Sequence, residues 1–232
     1  MNARQETIIN ILRKEYGKAR IALKYSSAWE LLVAVILSAQ CTDKTVNKVT
    51  STLFIKYPTL DSYINANEVE FQNDIRQTGF FRVKGSNILK SARIIKEKFN
   101  GNVPNTMNDL LTLPGVARKT ANVVLGNAYG VVAGMATDTH IIRISQRLGL
   151  VDLNKIGGKK KAVFIKDGIE TIDFIKDADP VIIEKELMLS VPYVFWFSLT
   201  YQIIDHGRNI CKAQSPNCIE CPLNQLCRAS RV

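Results

Sequence analysis

Apolar positions recur along most of the chain at the three- and four-residue spacing of a single helix face. Ile8, Ile9, Ile11, Leu12 and Tyr16 mark a first amphipathic helix. Between 31 and 37 the run LLVAVIL carries no polar residue. It predicts a buried helix, with Ser27 and Glu30 placed as a capping box ahead of it. The same reading predicts a helix over 43–56, closed by Tyr57-Pro58, and a short one over 68–75. Gly79-Phe80-Phe81 interrupts the pattern and 86–99 resumes it. A stop at 101–104 is followed by Thr106 and Asp109, a second capping pair for a helix running to Leu113. Further helices are expected over 119–129, 139–148, 178–190 and 194–206. No two segments alternate clearly enough to predict a sheet. The stretch 161–175 is ambiguous, and the Gly157-Gly158-Lys159-Lys160-Lys161 run before it reads as a flexible basic surface excursion. The expected class is all-α, with about ten helices.

Composition narrows the partner. The 232 residues fill one large domain or two small ones, and 46% hydrophobic content suffices for a core. A net charge of +10 points to a polyanion, either nucleic acid or an anionic membrane surface, against the plainer reading of a merely soluble basic protein. The N-terminal residues MNARQETIINILRKEYGKAR contain no apolar signal-peptide core. WELLVAVILSA is too short to span a bilayer, and LMLSVPYVFWFSLTYQII is broken by Pro192. A soluble, intracellular, cytoplasmic or nucleoid-associated protein is expected, with no membrane partner.

Four of the five cysteines, Cys211, Cys218, Cys221 and Cys227, fall in a C-x6-C-x2-C-x5-C array. Secreted disulfide proteins spread their pairs across the fold, whereas four thiolates this close can converge on one metal centre. Zinc ribbons commonly pair two C-x2-C knuckles. Here there is a single close pair with longer spacers, which favours a [4Fe–4S] cubane over zinc without excluding zinc. Cys41 stands alone and reads as a small buried hydrophobe.

A second motif, LPGVARKTA at 113–121, couples a Pro114-Gly115 turn to a helix that opens with Arg118 and Lys119. A helix hairpin of this kind offers backbone N–H groups and the positive end of a dipole to an anion, and a DNA phosphate fits. Two cations at such a terminus are unfavourable in isolation, and a bound phosphate chain reverses the sign. Gly115 permits close backbone approach. Lys119 also allows a sharper reading: an amine attacks an electrophilic carbon only when neutral, and a helix N-terminus disfavours the ammonium form. The plain alternative is a pair of solvated helix residues. Asp138, just ahead of the helix in ATDTHIIRISQRLG, reads as an N-cap. It is also a candidate carboxylate to deprotonate the lysine or stabilise positive charge on a sugar.

Together these motifs resemble the endonuclease III family of helix–hairpin–helix base-excision DNA glycosylases with an iron–sulfur loop. LPGVARKTANVVL at 113–125, TDTHIIR at 137–143, HGRNIC leading into the cysteine array, and LLVAVILSAQCTD at 31–43 carry the resemblance, in consistent order from about residue 4 to 228. It implies two α-helical domains with a DNA-binding cleft between them. One is a six-helix bundle over 22–132 that holds the hairpin. The other joins 1–21 to 133–232 and holds a [4Fe–4S] cluster on Cys211, Cys218, Cys221 and Cys227.

The implied activity is bifunctional. A damaged base, an oxidised pyrimidine by family expectation, is flipped out of the duplex. Lys119 attacks C1′, the base leaves, a Schiff base forms and β-elimination cuts the strand. Asp138 matches the catalytic carboxylate. Gln40 matches the residue that fills the vacated gap, and Phe80 falls where the family has a leucine wedge. Gly115, Ala117, Arg118, Lys84, Arg82 and His140 are implied DNA contacts, and His206 is expected to position the segment entering the cluster. Ala117 replaces the hairpin's usual second glycine, which costs about 1 kcal/mol if that position needs positive φ. The segment 154–180 is longer than usual. The implied partner is double-stranded DNA with damaged bases or abasic sites, bound by a monomer. Two rivals stand beside this reading. One is a monofunctional mismatch glycosylase of the same superfamily, against which Ile36 and Lys119 both argue. The other is a non-catalytic metal-containing DNA-binding module.

Overall fold

The computed structural model describes residues 2–232. In chain order the helices are α1 (Ala3–Glu15), α2 (Ala28–Leu37), α3 (Asp43–Lys56), α4 (Leu60–Ile64), α5 (Glu68–Asp74), α6 (Phe81–Lys98), α7 (Met107–Leu110), α8 (Arg118–Tyr129), α9 (Thr139–Arg147), α10 (Pro180–Ser190) and α11 (Trp196–Asn209). The chain divides into two compact units. One is Ile21–Ala133; the other joins Met1–Arg20 to Gly134–Val232.

In the unit Ile21–Ala133 the apolar run builds the centre. All seven residues from Leu31 to Leu37 are buried in α2, as a helix without a polar face must be. Around it pack α3, α6 and α8. Ser27 caps α2 through the Glu30 N–H, while the Glu30 carboxylate turns back to the Ser26 N–H and hydroxyl. Helix α6 begins five residues earlier than the periodicity suggests, because Gly79 and Phe80 complete the left-handed break that the sequence signals there.

The unit that joins the chain's two ends has its own core. Ile8 and Leu12 of α1 meet Ile141, Ile144 and Leu148 from α9 and its end, together with Ile183, Leu187, Leu199 and Ile203 of α10 and α11. Arg4 fastens α1 by donating to the carbonyls of Leu148 and Leu226.

The departure from an all-helical chain is an antiparallel hairpin, β1 (Lys161–Lys166) and β2 (Ile169–Ile175). Its two-residue turn is Asp167-Gly168, both with positive φ (51° and 77°), as a type I′ turn requires. That Asp-Gly pair between KAVFIK and IETIDFI was the signal that resolves the ambiguous stretch. The hairpin is not a loose excursion. The Gln146 amide brackets the Ile175 backbone, accepting from its N–H at 2.7 Å and donating to its carbonyl at 3.1 Å. Asp173 is buried against Arg147. Among the described residues no helix is long and apolar enough to cross a membrane.

Candidate functional site

The hairpin motif lies in the unit Ile21–Ala133. Thr106 caps α7, which ends at Leu110 rather than Leu113; the three following residues form turns, with Leu113 N–H bonded to Leu110 and Val116 N–H to Leu113. Gly115 has φ +78°, and a Cβ there would sit 2.9 Å from Nδ2 of Asn87 on α6. Ser91, one turn further along α6, donates to the Pro114 carbonyl at 3.1 Å. The turn is therefore seated directly on α6, and only glycine fits at its tip.

Ala117 is the N-cap of α8 with φ −92° and ψ 171°. This is ordinary extended backbone, so alanine in place of the usual second glycine carries no strain. It also leaves the helix without a side-chain cap. The first-turn N–H groups have no intrahelical acceptors by the geometry of a helix, and Arg118 and Lys119, both half-buried, stand among them. A terminus with no side-chain cap and two cations is suited to receive an anion.

Two exposed residues of this unit hold the left-handed conformation, Gln40 (φ 52°) and Phe80 (φ 49°). The other two described non-glycine residues with positive φ are Asn100, also exposed in this unit, and Asp167 of the β-hairpin turn, types that tolerate it. For Gln40 and Phe80 the conformation costs about 1–2 kcal/mol each, a cost associated with functional loops. Phe80 is 65% exposed and takes no part in the core. Cys41, expected to be buried, is half-buried in the turn after Gln40.

Lys84 is a correction. Expected to contact phosphate, it is only 5% exposed. Its ammonium donates to the Leu37 carbonyl at 2.8 Å and to the Thr78 carbonyl at 2.7 Å, so it is spent inside the protein. Arg82 beside it is exposed.

The other unit carries Asp138. As N-cap of α9 it accepts from the N–H groups of His140 (2.8 Å) and Ile141 (2.9 Å), both on Oδ1. Oδ2 takes no part in the cap. His140 is half-buried, its Nδ1 3.2 Å from Nη2 of Arg143.

All four clustered cysteines line one cavity, with Arg147, His206 and Pro216 among its walls. None is in a disulfide. Zinc needs its sulfurs about 2.3 Å from one point, whereas a cubane takes one sulfur on each of four separated irons. Burial pushes the Cys227 thiol up to about 11 and raises that of Cys221. Thiolates in this cavity therefore call for a cationic core, and an iron–sulfur cluster supplies one. The donor set and the cavity fit such a group.

Two arginines that the sequence reading passed over brace this loop. Arg143 donates to the Cys211 carbonyl at 2.9 Å. Arg147 donates to Cys211 Sγ at 3.2 Å, to the Lys212 and Ala213 carbonyls at 2.7 and 2.8 Å, and bidentately to Asp173 at 2.7 Å on each oxygen. Their four-residue spacing on a face that also buries Ile144 was the available signal. His206, fully buried, receives or donates a 3.1 Å bond with the Tyr16 hydroxyl, and its carbonyl accepts from the Cys211 N–H. Burial, with Arg143 nearby, pushes it down to about 4.

Residues 33–187 match the family described as HhH-GPD superfamily base excision DNA repair protein. The fold and the hairpin thus define a base-excision DNA repair protein of the helix–hairpin–helix superfamily. Residues 211–227, bounded by the first and last clustered cysteines, match the iron–sulfur binding domain of endonuclease III. The endonuclease III of Synechocystis sp. is 44% identical over 229 residues, covering 99% of this chain and 94% of its own. Two solved structures are 39% identical and cover 100% of this chain and 98% of theirs. They are a trapped endonuclease III–DNA covalent intermediate (TM-score 0.84) and a non-covalent endonuclease III–DNA complex (TM-score 0.85). The chain belongs to the endonuclease III family, and an iron–sulfur cluster is its cofactor.

Proposed function

We propose that the protein is a bifunctional DNA glycosylase and abasic-site lyase, acting as a monomer on double-stranded DNA inside the cell, with oxidised pyrimidines as its substrate class. The observation that carries the reading is Lys119 in the first turn of a helix with no side-chain cap. The hairpin N–H groups and Arg118 hold the phosphate backbone, a contact that sets register without reading sequence. The same turn that seats the phosphate carries Lys119, so its amine is brought to the sugar–phosphate backbone as the nucleophile.

The target nucleotide is flipped, since its C1′ is out of reach within the stack. Gln40 and Phe80, exposed and conformationally loaded, enter the duplex, Gln40 in the vacated position and Phe80 as an aromatic wedge that stacks where relatives use an aliphatic one. Lys119 Nζ bonds to C1′ as the base departs with the glycosidic electron pair. Loss of the ring oxygen bond gives the Schiff base. Removal of a C2′ proton then expels the 3′ phosphate by β-elimination. Asp138, whose Oδ2 takes no part in the cap, is assigned the role of the catalytic carboxylate that stabilises positive charge on the sugar. His140 is assigned a backbone contact.

Cys211, Cys218, Cys221 and Cys227 would hold a [4Fe–4S] cluster, which supplies a cross-link that fixes a loop with little apolar core of its own. Arg147 and His206 orient the residues at its edges.

The test is borohydride trapping on a duplex with one abasic site. Wild type is expected to give a covalent protein–DNA band and Lys119→Gln none. Absence of the band in wild type, with DNA binding intact, would overturn the lyase assignment and leave a monofunctional glycosylase or a binding module.

A further inference from the structure

Phe80 and Gln40 lie forty residues apart in sequence on separate loops, each at a positive φ that the backbone would relax if free to do so. The Gln40 loop follows the C-terminus of α2, whose last carbonyl is Leu37; the Phe80 loop follows Thr78 and the left-handed Gly79. One buried cation touches both: Lys84 Nζ lies 2.8 Å from the Leu37 carbonyl and 2.7 Å from that of Thr78. We propose that Lys84 is a positioning residue that locks the Gln40 and Phe80 loops to each other, so that the two insert into DNA as one unit. This rests on the reading of those residues as inserting groups.

Three observations favour a clamp over simple packing. Lys84 has no carboxylate partner among its hydrogen bonds; it has two backbone carbonyls, one from the residue that leads into each loop. The bonds are short and charge-assisted, stronger than neutral ones, and the Leu37 carbonyl is at the negative end of a helix dipole. Burial disfavours the charged form, so the ammonium is kept there at a cost that an apolar side chain of the same length would avoid. The clamp also sits in the first turn of α6, the helix that carries the hairpin on Asn87 and Ser91. Force on either inserted residue is thereby passed to the element that seats the phosphate-binding turn.

The variant Lys84→Met keeps the length and removes both bonds. It is expected to retain the circular dichroism of wild type and KM for damaged duplex, and to lose about 10- to 100-fold in kcat for base excision, the scale of a positional error near 1 Å. Cleavage of a preformed abasic site should change less than excision, because no base has to be unstacked. The fluorescence rise of an adenine analogue opposite the lesion, present with wild type, should be lost. Equal excision and equal fluorescence in Lys84→Met would overturn the clamp. So would a parallel fall in excision and lyase rates that tracks melting temperature.

A double-mutant cycle of Gln40→Ala and Phe80→Ala with Lys84 intact needs no folded Lys84 variant. Non-additive losses support coupled loops, and strictly additive losses overturn them. If wild type itself excises nothing, the glycosylase reading fails, not the clamp alone.

Discussion

The Arg147–Asp173 pair ties the β-hairpin to the cluster loop, and its removal should be severe. Both side chains are almost fully buried, 2% and 3% exposed, at 2.7 Å. Burial opposes the Arg147 charge, and Asp173 with Cys211 outweighs it, holding the guanidinium above its usual range. Asp173→Ala leaves that cation buried without a counter-carboxylate, against the Lys212 and Ala213 carbonyls, one sulfur and the Phe174 ring. Breaking a buried pair by deleting one member costs about 3–5 kcal/mol. In a chain of this length each kcal/mol moves the melting temperature by about 2–4 °C, so a fall of about 6–20 °C is expected. The visible absorption of the cluster should bleach in the same transition, because Arg147 also holds the Cys211 segment.

Arg231→Ala is the control. That side chain reaches Asp173 at 3.2 Å but is 31% exposed, so its loss should cost no more than about 1 kcal/mol, the range of surface pairs. The assay is thermal melting followed by circular dichroism and cluster absorption together. An Asp173→Ala protein melting within about 2 °C of wild type, or one no worse than Arg231→Ala, would refute the argument that the hairpin is anchored by this pair.

Two further predictions test the phosphate-binding turn. Gly115→Ala should destabilise by about 1–2 kcal/mol for the left-handed backbone alone, with more from the approach to Asn87, and should weaken binding to an abasic-site duplex; an unchanged melt would show that the turn is not held at positive φ. Ala117→Asp should raise stability by about 1 kcal/mol by supplying the missing N-cap, yet weaken DNA binding, because the carboxylate takes the N–H groups and the charge position intended for a phosphate. Titration of both proteins with an abasic duplex checks it, and tighter or equal binding by Ala117→Asp would remove the hairpin from the DNA interface.

What was legible in the sequence followed from local periodicity and spacing. The buried run at 31–37, the helix over 43–56 and the N-cap role of Asp138 need only neighbours in the chain to be read, and each is found as expected. Lys84 shows where that logic stops. Its place two residues after Arg82 resembles a basic surface strip, and only the folded positions of Leu37 and Thr78, 47 and 6 residues away, turn the ammonium inward. Asp173 is the same case in a strand: an acidic residue in a segment of ambiguous pattern gives no sign of burial until Arg147, 26 residues earlier, is paired with it. Both are charges paired with groups distant in the chain. Such burial is tolerable only with those partners present, so no pattern within a window can reveal it. The strain at Gln40 and Phe80 is likewise silent in composition, since glutamine and phenylalanine carry no mark of a left-handed backbone as Asp167-Gly168 does. It persists because tertiary contacts hold both loops. Long-range polar contacts and backbone strain thus meet in one small region of the unit Ile21–Ala133, and the lysine that joins its two loops is the residue whose role the sequence hid most completely.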